Sequence, residues 1–175
     1  MKIQPWTLLL LASLVPIVGA GKDDAAKKTD EDTVFREPFT LKLQIDKKKG
    51  YEEKFGKIPY VHNGAVYLFK GEEFGLNLDI QDNTVRSVKY QPDLTKADVT
   101  LKFRQDVQDD GKPMMLLTIR NNTKQTLGAD ALMTVPKKKA VVRTSILPIG
   151  AGMSGYESWP HPIVQLVLGK IRVEK

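Results

Sequence analysis

The chain has 175 residues, of which 41% are hydrophobic and 27% are charged, and it contains no cysteine. This composition is typical of a globular protein with a core, and it excludes a disordered chain, a disulfide-linked scaffold and a lipoprotein anchored through cysteine. The formal net charge of +6 allows attraction to anionic polymers or lipid headgroups without requiring it.

The N-terminus has the layout of a secretory signal peptide. Lys2 supplies a positive charge, residues 6–18 are uncharged and mostly apolar, and residues 18–20 place small or modest side chains before a cleavage point. The apolar run is shorter than the about 20 residues that a membrane-spanning helix needs, and it contains Pro16. We therefore predict cleavage after Ala20, with an uncleaved anchor as the alternative.

Three segments follow from this N-terminus and from the composition of the rest of the chain. Residues 1–20 are the predicted signal peptide. Residues 21–37 are rich in Lys, Asp, Ala and Thr without apolar periodicity, so they cannot bury enough surface to offset the entropy of ordering. We predict a flexible, disordered tether there, followed by a single β-sandwich domain over residues 38–175.

Alternation of apolar and polar residues predicts the strands of this domain. In residues 39–45 every odd position is apolar and every interior even position is polar, which indicates a strand with one wet face. Similar runs predict strands near residues 65–69, 76–80, 84–90, 99–103, 114–120, 127–135, 141–147 and 163–173. The last run is apolar on both faces, which predicts a central strand or one covered by a partner.

Turn-forming residues separate these runs, among them Asn63-Gly64 and Asp82-Asn83. About eight or nine short strands at this spacing predict an all-β fold, an antiparallel β-sandwich, with a closed barrel as the alternative. In strand number and turns the domain resembles the immunoglobulin-like sandwiches, which implies their general architecture, although the cysteine pair of antibody domains is absent. The charged segment 47–57 is predicted to be a long loop.

Two glycine-containing motifs look like ligand sites but fail on their chemistry. Residues 150–155 match G-x-G-x-x-G, but Pro160 and Pro162 follow where a dinucleotide site needs a helix. Residues 106–117 partly match a calcium loop, but Leu117 stands where a bidentate glutamate is required. We therefore predict a surface loop at the first place and a hairpin turn at the second.

Catalytic machinery is not visible in the sequence. His62 and His161 are the histidines of the chain, and without cysteine they form no cluster typical of a zinc, copper or catalytic site. We predict no metal, no cofactor and no catalytic residue. Tyr156 interrupts the G-x-S-x-G pattern of hydrolases, although a triad built from distant residues stays open. The alternative function is therefore an envelope hydrolase of unassigned chemistry that uses the 150–162 loop.

That loop is also the first candidate binding surface. It is long for a connection in a β-domain, and long loops are more often functional. Tyr156 and Trp159 are residue types that anchor interfaces, and Trp159 is either such an exposed anchor or a plug for the end of the sandwich. The candidate binding residues here are Tyr156, Glu157, Trp159 and His161.

Two lysine triplets, residues 47–49 and 137–139, are the densest charges in the chain. No aromatic residues for base stacking are interleaved with them, so nucleic acid is not a predicted partner. They are interpreted as solvated turns that deter edge-to-edge strand pairing, or as contacts for an anionic envelope polymer. The second triplet completes the candidate binding set: Lys137, Lys138 and Lys139.

Together these features predict a non-enzymatic, exported binding domain of the cell envelope. Its predicted partner is another envelope protein or an anionic surface polymer, and the apolar last strand leaves self-association open. An exported chain without cysteine fits a bacterial periplasm or cell surface better than an animal extracellular space, so we predict a periplasmic or secreted protein. No integral membrane segment is predicted after cleavage.

Overall fold

The structure, a computed structural model, describes residues 33–136 and 141–174. Twelve β-strands and one short 3-10 helix, Leu94–Lys96, occur in these two ranges. The strands are β1 (Phe39–Gln44), β2 (Gly50–Phe55), β3 (Val61–His62), β4 (Ala65–Leu68), β5 (Glu72–Gln81), β6 (Thr84–Gln91), β7 (Val99–Val107), β8 (Pro113–Asn121), β9 (Leu127–Thr134), β10 (Val141–Ser145), β11 (Ser154–Trp159) and β12 (Gln165–Val173). No helix in this part of the chain has the length and apolar character needed to cross a membrane.

The strands form three antiparallel sheets. β1 and β2 pair with each other as a hairpin. One five-stranded sheet has the order β10-β9-β12-β4-β3, and the other has the order β11-β8-β7-β5-β6. Within the described ranges neither large sheet closes on itself, because its first and last strands do not pair. The prediction of an all-β antiparallel fold is confirmed.

One hydrophobic core joins the three sheets. On β7, Val99, Leu101 and Phe103 are buried while Lys102 and Arg104 are exposed, which is the alternation expected of a strand with one wet face. Strands of the facing sheet and the β1–β2 hairpin contribute to the same core, for example through Leu41, Leu43, Val66, Leu68, Ala131, Leu166 and Leu168. The two large sheets therefore enclose the core as the layers of a sandwich do.

Every strand expected from alternation is present, with bounds that differ by a few residues. The final strand, β12, lies between β9 and β4 at the centre of its sheet. Leu166, Val167 and Leu168 pair with both neighbouring strands. The expected central position of this strand is therefore confirmed, and its burial alternates, with Leu166 and Leu168 buried and Val167 half-buried.

The predicted number of strands is too low, because three strands lack a clear hydrophobic pattern. Residues 47–57, predicted to be a charged loop, contain β2, and residues 150–162, predicted to be a surface loop, contain β11. Each of these two strands has one paired neighbour in the described structure, so its solvent-facing positions accept charged and polar side chains. β3 has two residues and is too short to leave a pattern.

A buried arginine fixes the segment just before β1. Arg36 is 4% exposed, and its guanidinium donates hydrogen bonds to both carboxylate oxygens of Glu72 and, at 2.6 Å, to the carbonyl of Pro59. The guanidinium carbon also lies 3.9 Å from the ring centroid of Tyr60. Residues 34–36 of the predicted tether are thus part of the packed domain. Most of that tether, and the predicted signal peptide, lie outside the described residues.

Candidate functional site

The turn between β1 and β2 presents three consecutive lysines. Asp46 organises this turn, because its Oδ1 accepts hydrogen bonds from the backbone N–H groups of Lys48 and Lys49 at 2.8 and 2.9 Å. The N–H of Ile45 donates to the carbonyl of Lys49 at 2.8 Å and closes the turn. Aspartate is common at such positions, since its short side chain reaches backbone amides two or three residues on. Lys47, Lys48 and Lys49 are all exposed as a result.

These lysines line a groove with a volume of about 480 Å³. Two further lysines reach the groove from elsewhere, Lys42 on β1 and Lys70 in the turn between β4 and β5. Lys70 Nζ donates a hydrogen bond to the backbone carbonyl of Lys42 at 2.9 Å, which fixes this ammonium at the groove wall. The end of β7 adds Gln105 and Val107. Five lysines from three parts of the fold therefore converge on one concave surface.

Few carboxylates neutralise this surface. Lys42 Nζ lies 3.6 Å from Glu52 Oε2, and both side chains are well exposed. Among the described residues, no carboxylate lies within ion-pair distance of the ammonium groups of residues 47–49. Elsewhere on the surface lysines are paired, as in the contact of 2.8 Å between Lys102 and Glu73. The groove lining contains five lysines and one carboxylate, Asp46, so it carries an excess of positive charge that the anions of a partner can neutralise.

Contacts with β7 and its following turn hold the groove in shape. The N–H of Gln44 donates to Gln105 Oε1 at 2.8 Å, and Gln105 Nε2 donates back to the carbonyl of Gln44 at 2.9 Å. The stem of Lys47 packs over Gly111, where a Cβ would lie 2.1 Å from Lys47 Cγ. Gly111 also has a φ of 79°, a conformation that favours glycine. Glycine at this position therefore leaves the space that the first lysine of the turn occupies.

The pKa of Asp110, which lies in the same turn as Gly111, is affected by a lysine of the groove. Its pKa is lowered mainly by hydrogen bonds from the side chain and backbone of Lys112, and the positive charge of Lys47 adds to the effect. The pKa of Lys112 is raised by the same hydrogen bond. Lys112 rather than Lys47 is the ion-pair partner of Asp110, at 2.7 Å, so Lys47 keeps its charge available to the groove.

The structure also contains an apolar cavity of about 360 Å³. Its lining comes from the residue after β1, the end of β9, the start of β10 and the connection between β11 and β12: Ile45, Met133, Val135, Pro136, Val142, His161 and Pro162. Gln44 and Asp46, on either side of Ile45 in the chain, line the groove and not the cavity. His161 is the ionisable residue of the cavity lining, and its Nδ1 lies 3.4 Å from the carbonyl of Pro162.

The two aromatic residues predicted to bind a partner differ in their exposure to solvent. Tyr156 is 75% exposed on β11, whereas Trp159, at the end of the same strand, is 7% exposed. Trp159 Nε1 donates to Thr144 Oγ1 at 2.8 Å, and the indole meets Phe103 edge-to-face with 6.4 Å between ring centroids. This burial favours the plug interpretation of Trp159 over the exposed anchor.

The other predicted binding residues lie in different surroundings. Glu157 Oε1 accepts a hydrogen bond from the N–H of Leu147 at 2.8 Å, which ties β11 to the segment after β10. His161 lines the apolar cavity. Lys137, Lys138 and Lys139 lie outside the described residues. The predicted set is therefore not assembled into one site among the residues that the structure describes.

Sequence reasoning found part of the groove and missed the rest. The triplet at residues 47–49 is visible as a charge run, but Lys42 and Lys70 are 28 positions apart and have no shared pattern. Their approach depends on the packing of β1 against the turn that follows β4. The cavity left no sequence signal, because its apolar residues look like ordinary core positions of β9 and β10.

The two excluded motifs have the geometry of simple turns and strands. Gly155, the third glycine of G-x-G-x-x-G, lies in β11 rather than at the start of a helix. After β7 the N–H of Gly111 donates to the carbonyl of Gln108 at 2.7 Å and forms the hairpin turn to β8. No group of three or more His, Cys, Asp or Glu that could hold a metal ion occurs within the described ranges. Comparison of the chain with family models, with curated proteins and with solved structures found no match.

Proposed function

We propose that this protein is a non-enzymatic, exported binding domain of the cell envelope that engages an anionic surface polymer through the lysine-lined groove. The observation that carries the proposal is the convergence of five lysines, from β1, its following turn and the turn after β4, on one groove of about 480 Å³. A surface with an excess of one sign of charge raises the local concentration of oppositely charged ligands. We place the protein in the bacterial periplasm or outside the cell.

The groove suits a polymer better than a small anion. It is open to solvent, and its ammonium groups are spread along a hairpin turn and a neighbouring turn rather than focused on one point. Repeated anionic groups along a chain match such a row, and each exposed contact is worth little alone. Binding of this kind adds up over several contacts and weakens with salt.

We also propose that the domain is immunoglobulin-like in its general architecture. The support is the pair of antiparallel sheets that enclose one core. Immunoglobulin domains have about seven to nine strands in two sheets, whereas this domain has a further hairpin, β1–β2, that forms a sheet of its own. That hairpin carries most of the lysine-lined groove, so the proposed function belongs to the part that the simple sandwich lacks.

The binding proposal is tested by measuring affinity for heparin and dextran sulfate, with neutral dextran as the uncharged control. The variant Lys47→Gln, Lys48→Gln, Lys49→Gln removes three exposed charges that have no carboxylate within ion-pair distance in the described part of the chain, and it leaves the core unchanged. Its stability should therefore stay within about 0.5 kcal/mol. We expect its affinity for both polyanions to fall by about tenfold or more at low salt, and binding of the native chain to weaken steeply with added salt.

A matched variant removes the same charge elsewhere. Lys54→Gln, Arg86→Gln, Lys124→Gln changes three exposed residues that do not line the groove. If this variant loses as much affinity as the groove variant, net charge and not the groove explains binding. Equal affinity at low and high salt would remove the electrostatic proposal altogether.

A second candidate partner is another envelope protein, bound beside β10 and β11. Large apolar side chains are exposed there, with Tyr156 at 75%, Leu147 at 71% and Met153 at 60%. The N–H of Leu147 donates to Glu157, the residue after Tyr156, so Leu147 lies beside β11. Exposed tyrosine is a residue type enriched at interfaces. Replacement of Tyr156 and Leu147 by serine, followed by pull-down from envelope extract, tests this candidate.

The hydrolase alternative has weaker support. It needs an acid, a base and a nucleophile from residues 150–162 to meet in one cleft. The carboxylate of Glu157 is engaged by the backbone of Leu147, while His161 lines an apolar cavity with Pro162. These contacts point the two residues toward different neighbours, so the binding proposal is preferred.

A further inference from the structure

We propose that β11 is the interface of a symmetric dimer, in which it pairs antiparallel with β11 of a second copy of this chain. The inference goes beyond the proposed function, because it concerns a sheet edge and not the lysine-lined groove. Two-fold dimers are the commonest oligomers of soluble proteins, and both copies use the same surface in them. The pairing joins the two sheets that contain β11 into one continuous sheet.

The backbone of β11 has one side that is open to hydrogen bonding. The N–H of Asn121, on β8, donates to the carbonyl of Met153, just before β11, at 2.9 Å. Backbone groups of successive residues in an antiparallel strand point to alternate sides, so every second residue after Met153 also faces β8. The residues between them direct their N–H and C=O groups away from β8: Ser154, Tyr156 and Ser158. β11 ends its sheet, and no strand in the described part of the chain pairs with it on that side.

The other edge strands of the two large sheets carry features that β11 lacks. Natural sheets deter strand pairing at their edges with very short strands, bulges and exposed charges. β3 has two residues, β6 has a register shift and exposes Arg86 and Lys89, and β10 exposes Arg143. β11 has six residues and an unbroken register with β8. Its charged residue, Glu157, is half-buried and accepts a hydrogen bond from the N–H of Leu147.

The residues of β11 are complementary to a second copy of themselves when the two-fold axis passes at Tyr156. Directly opposite residues of an antiparallel pair share one face of the sheet, where aromatic pairs stabilise and like charges destabilise. In this register the two Tyr156 side chains, each 75% exposed in the single chain, meet on the outer face, and Ser154 lies opposite Ser158. Glu157 lies opposite Gly155, so no two carboxylates meet. An axis at Glu157 would place the two carboxylates opposite each other, so the axis at Tyr156 is favoured.

Disulfide cross-linking tests this register directly, because the chain contains no cysteine of its own. In Tyr156→Cys the two opposite Cα atoms of the dimer lie about 5.5 Å apart, which a disulfide spans. In Ser154→Cys or Ser158→Cys alone, the two thiols are offset by about 13 Å along the strands, which is too far. We expect Tyr156→Cys to cross-link about tenfold faster or more than either serine variant alone, and a mixture of the two serine variants to cross-link with each other.

Sedimentation equilibrium tests the dimer without cross-linking. The native chain should shift from the monomer mass to the dimer mass as its concentration rises. Ser158→Pro removes an N–H that faces away from β8, whereas Ser158→Ala keeps it, and proline is tolerated at a sheet edge where its missing N–H would face solvent. We expect Ser158→Pro to raise the dissociation constant of the dimer by about tenfold or more, and Ser158→Ala to behave like the native chain. Thermal melting checks that both variants are folded, and the cross-linking comparison decides if Ser158→Pro unfolds.

The contrary outcomes are distinct from those of the proposed function. A native chain that stays monomeric at its highest soluble concentration overturns the inference, and a pull-down partner lost in Ser158→Pro then assigns this edge to another protein. The inference also fails if Tyr156→Cys cross-links no faster than the serine variants alone, or if folded Ser158→Pro dimerises as well as Ser158→Ala. The lysines of the groove lie outside β11, so polyanion binding and the dimer can each fail without the other.

Discussion

Arg36 carries a charge that the fold removes almost entirely from water. Its guanidinium donates to Glu72 and to Pro59, and the Tyr60 ring covers it at 3.9 Å. Replacement of Arg36 by Met leaves the Glu72 carboxylate half-satisfied in a poorly solvated place, which costs about 3–5 kcal/mol for a buried pair. We expect Arg36→Met to lower the free energy of unfolding by that amount, measured by urea denaturation.

An exposed ion pair gives the control for that variant. Lys102 and Glu73 lie 2.8 Å apart on neighbouring strands, and both side chains are about half exposed. Lys102→Met should change the free energy of unfolding by less than about 1 kcal/mol. A loss for Arg36→Met no larger than that of Lys102→Met would show that the segment before β1 is not held by its buried charge.

Trp159 and Tyr156 form a second contrast at the scale of single residues. Both aromatic side chains are on β11, but Trp159 packs in the core with its Nε1 bonded to Thr144, whereas Tyr156 faces solvent. Trp159→Ala should cost about 3–5 kcal/mol, as expected for a buried aromatic residue. Tyr156→Ala should stay within about 0.5 kcal/mol. Comparable losses of stability in the two variants, measured by thermal unfolding, would contradict the assignment of Trp159 as the plug.

Among the strands, predictability from sequence follows how regularly one face of the strand is apolar. β7 lies between β5 and β8, and its buried residues Val99, Leu101 and Phe103 alternate with polar ones, so its pattern is obvious. β11 pairs with β8, and the residues on its inner side include Gly155 and Glu157 as well as Trp159, so the hydrophobic pattern is lost. The hydrophobic pattern of a sequence reflects which side chains are buried. A strand whose inner face is only partly covered therefore has no regular hydrophobic pattern.

The candidate site shows the same limit. The lysines of the β1–β2 turn were visible because they are consecutive, but the groove needs Lys42 and Lys70 as well. Their approach is set by the hydrogen bond from Lys70 to the backbone of Lys42, a tertiary contact that no local pattern encodes. The turn itself was assigned to a loop that in fact contains β2, so its hairpin geometry was also missed.

A glycine in β5 is predicted to be required for the contact between β6 and the segment before β7. A Cβ on Gly75 would lie 2.4 Å from the Ala97 Cβ and 2.9 Å from the carbonyl of Gln91. Gly75→Ala should therefore lower the free energy of unfolding by about 1–3 kcal/mol, as overpacking of a core does. Gly169→Ala in β12 is the matched control, since nothing lies within 4 Å of the added carbon. If both variants unfold at the same denaturant concentration, the close approach at Gly75 is not limiting.

For the molecule as a whole, the predicted export is tested through the N-terminus of the mature protein. The positive N-terminus and the short apolar run predict cleavage after Ala20, so the exported protein should begin at Gly21. Intact-mass measurement of protein recovered from the periplasm and the medium tests this directly. A mass that still includes Met1 would mean that the segment acts as an anchor or is not processed, and the proposed location would change with it.

The reciprocal amide bonds between Gln44 and Gln105 have a consequence for how binding and folding are linked. They are contacts between the β1–β2 hairpin and the sheet that contains β7, and both residues line the lysine groove. The groove is therefore a seam between two sheets rather than a feature of one. A ligand that spans it would act as a clamp across the seam, so its binding energy would oppose local opening of the hairpin. When the ligand is added, amide hydrogen exchange should slow more in β1 and β2 than in the rest of the fold.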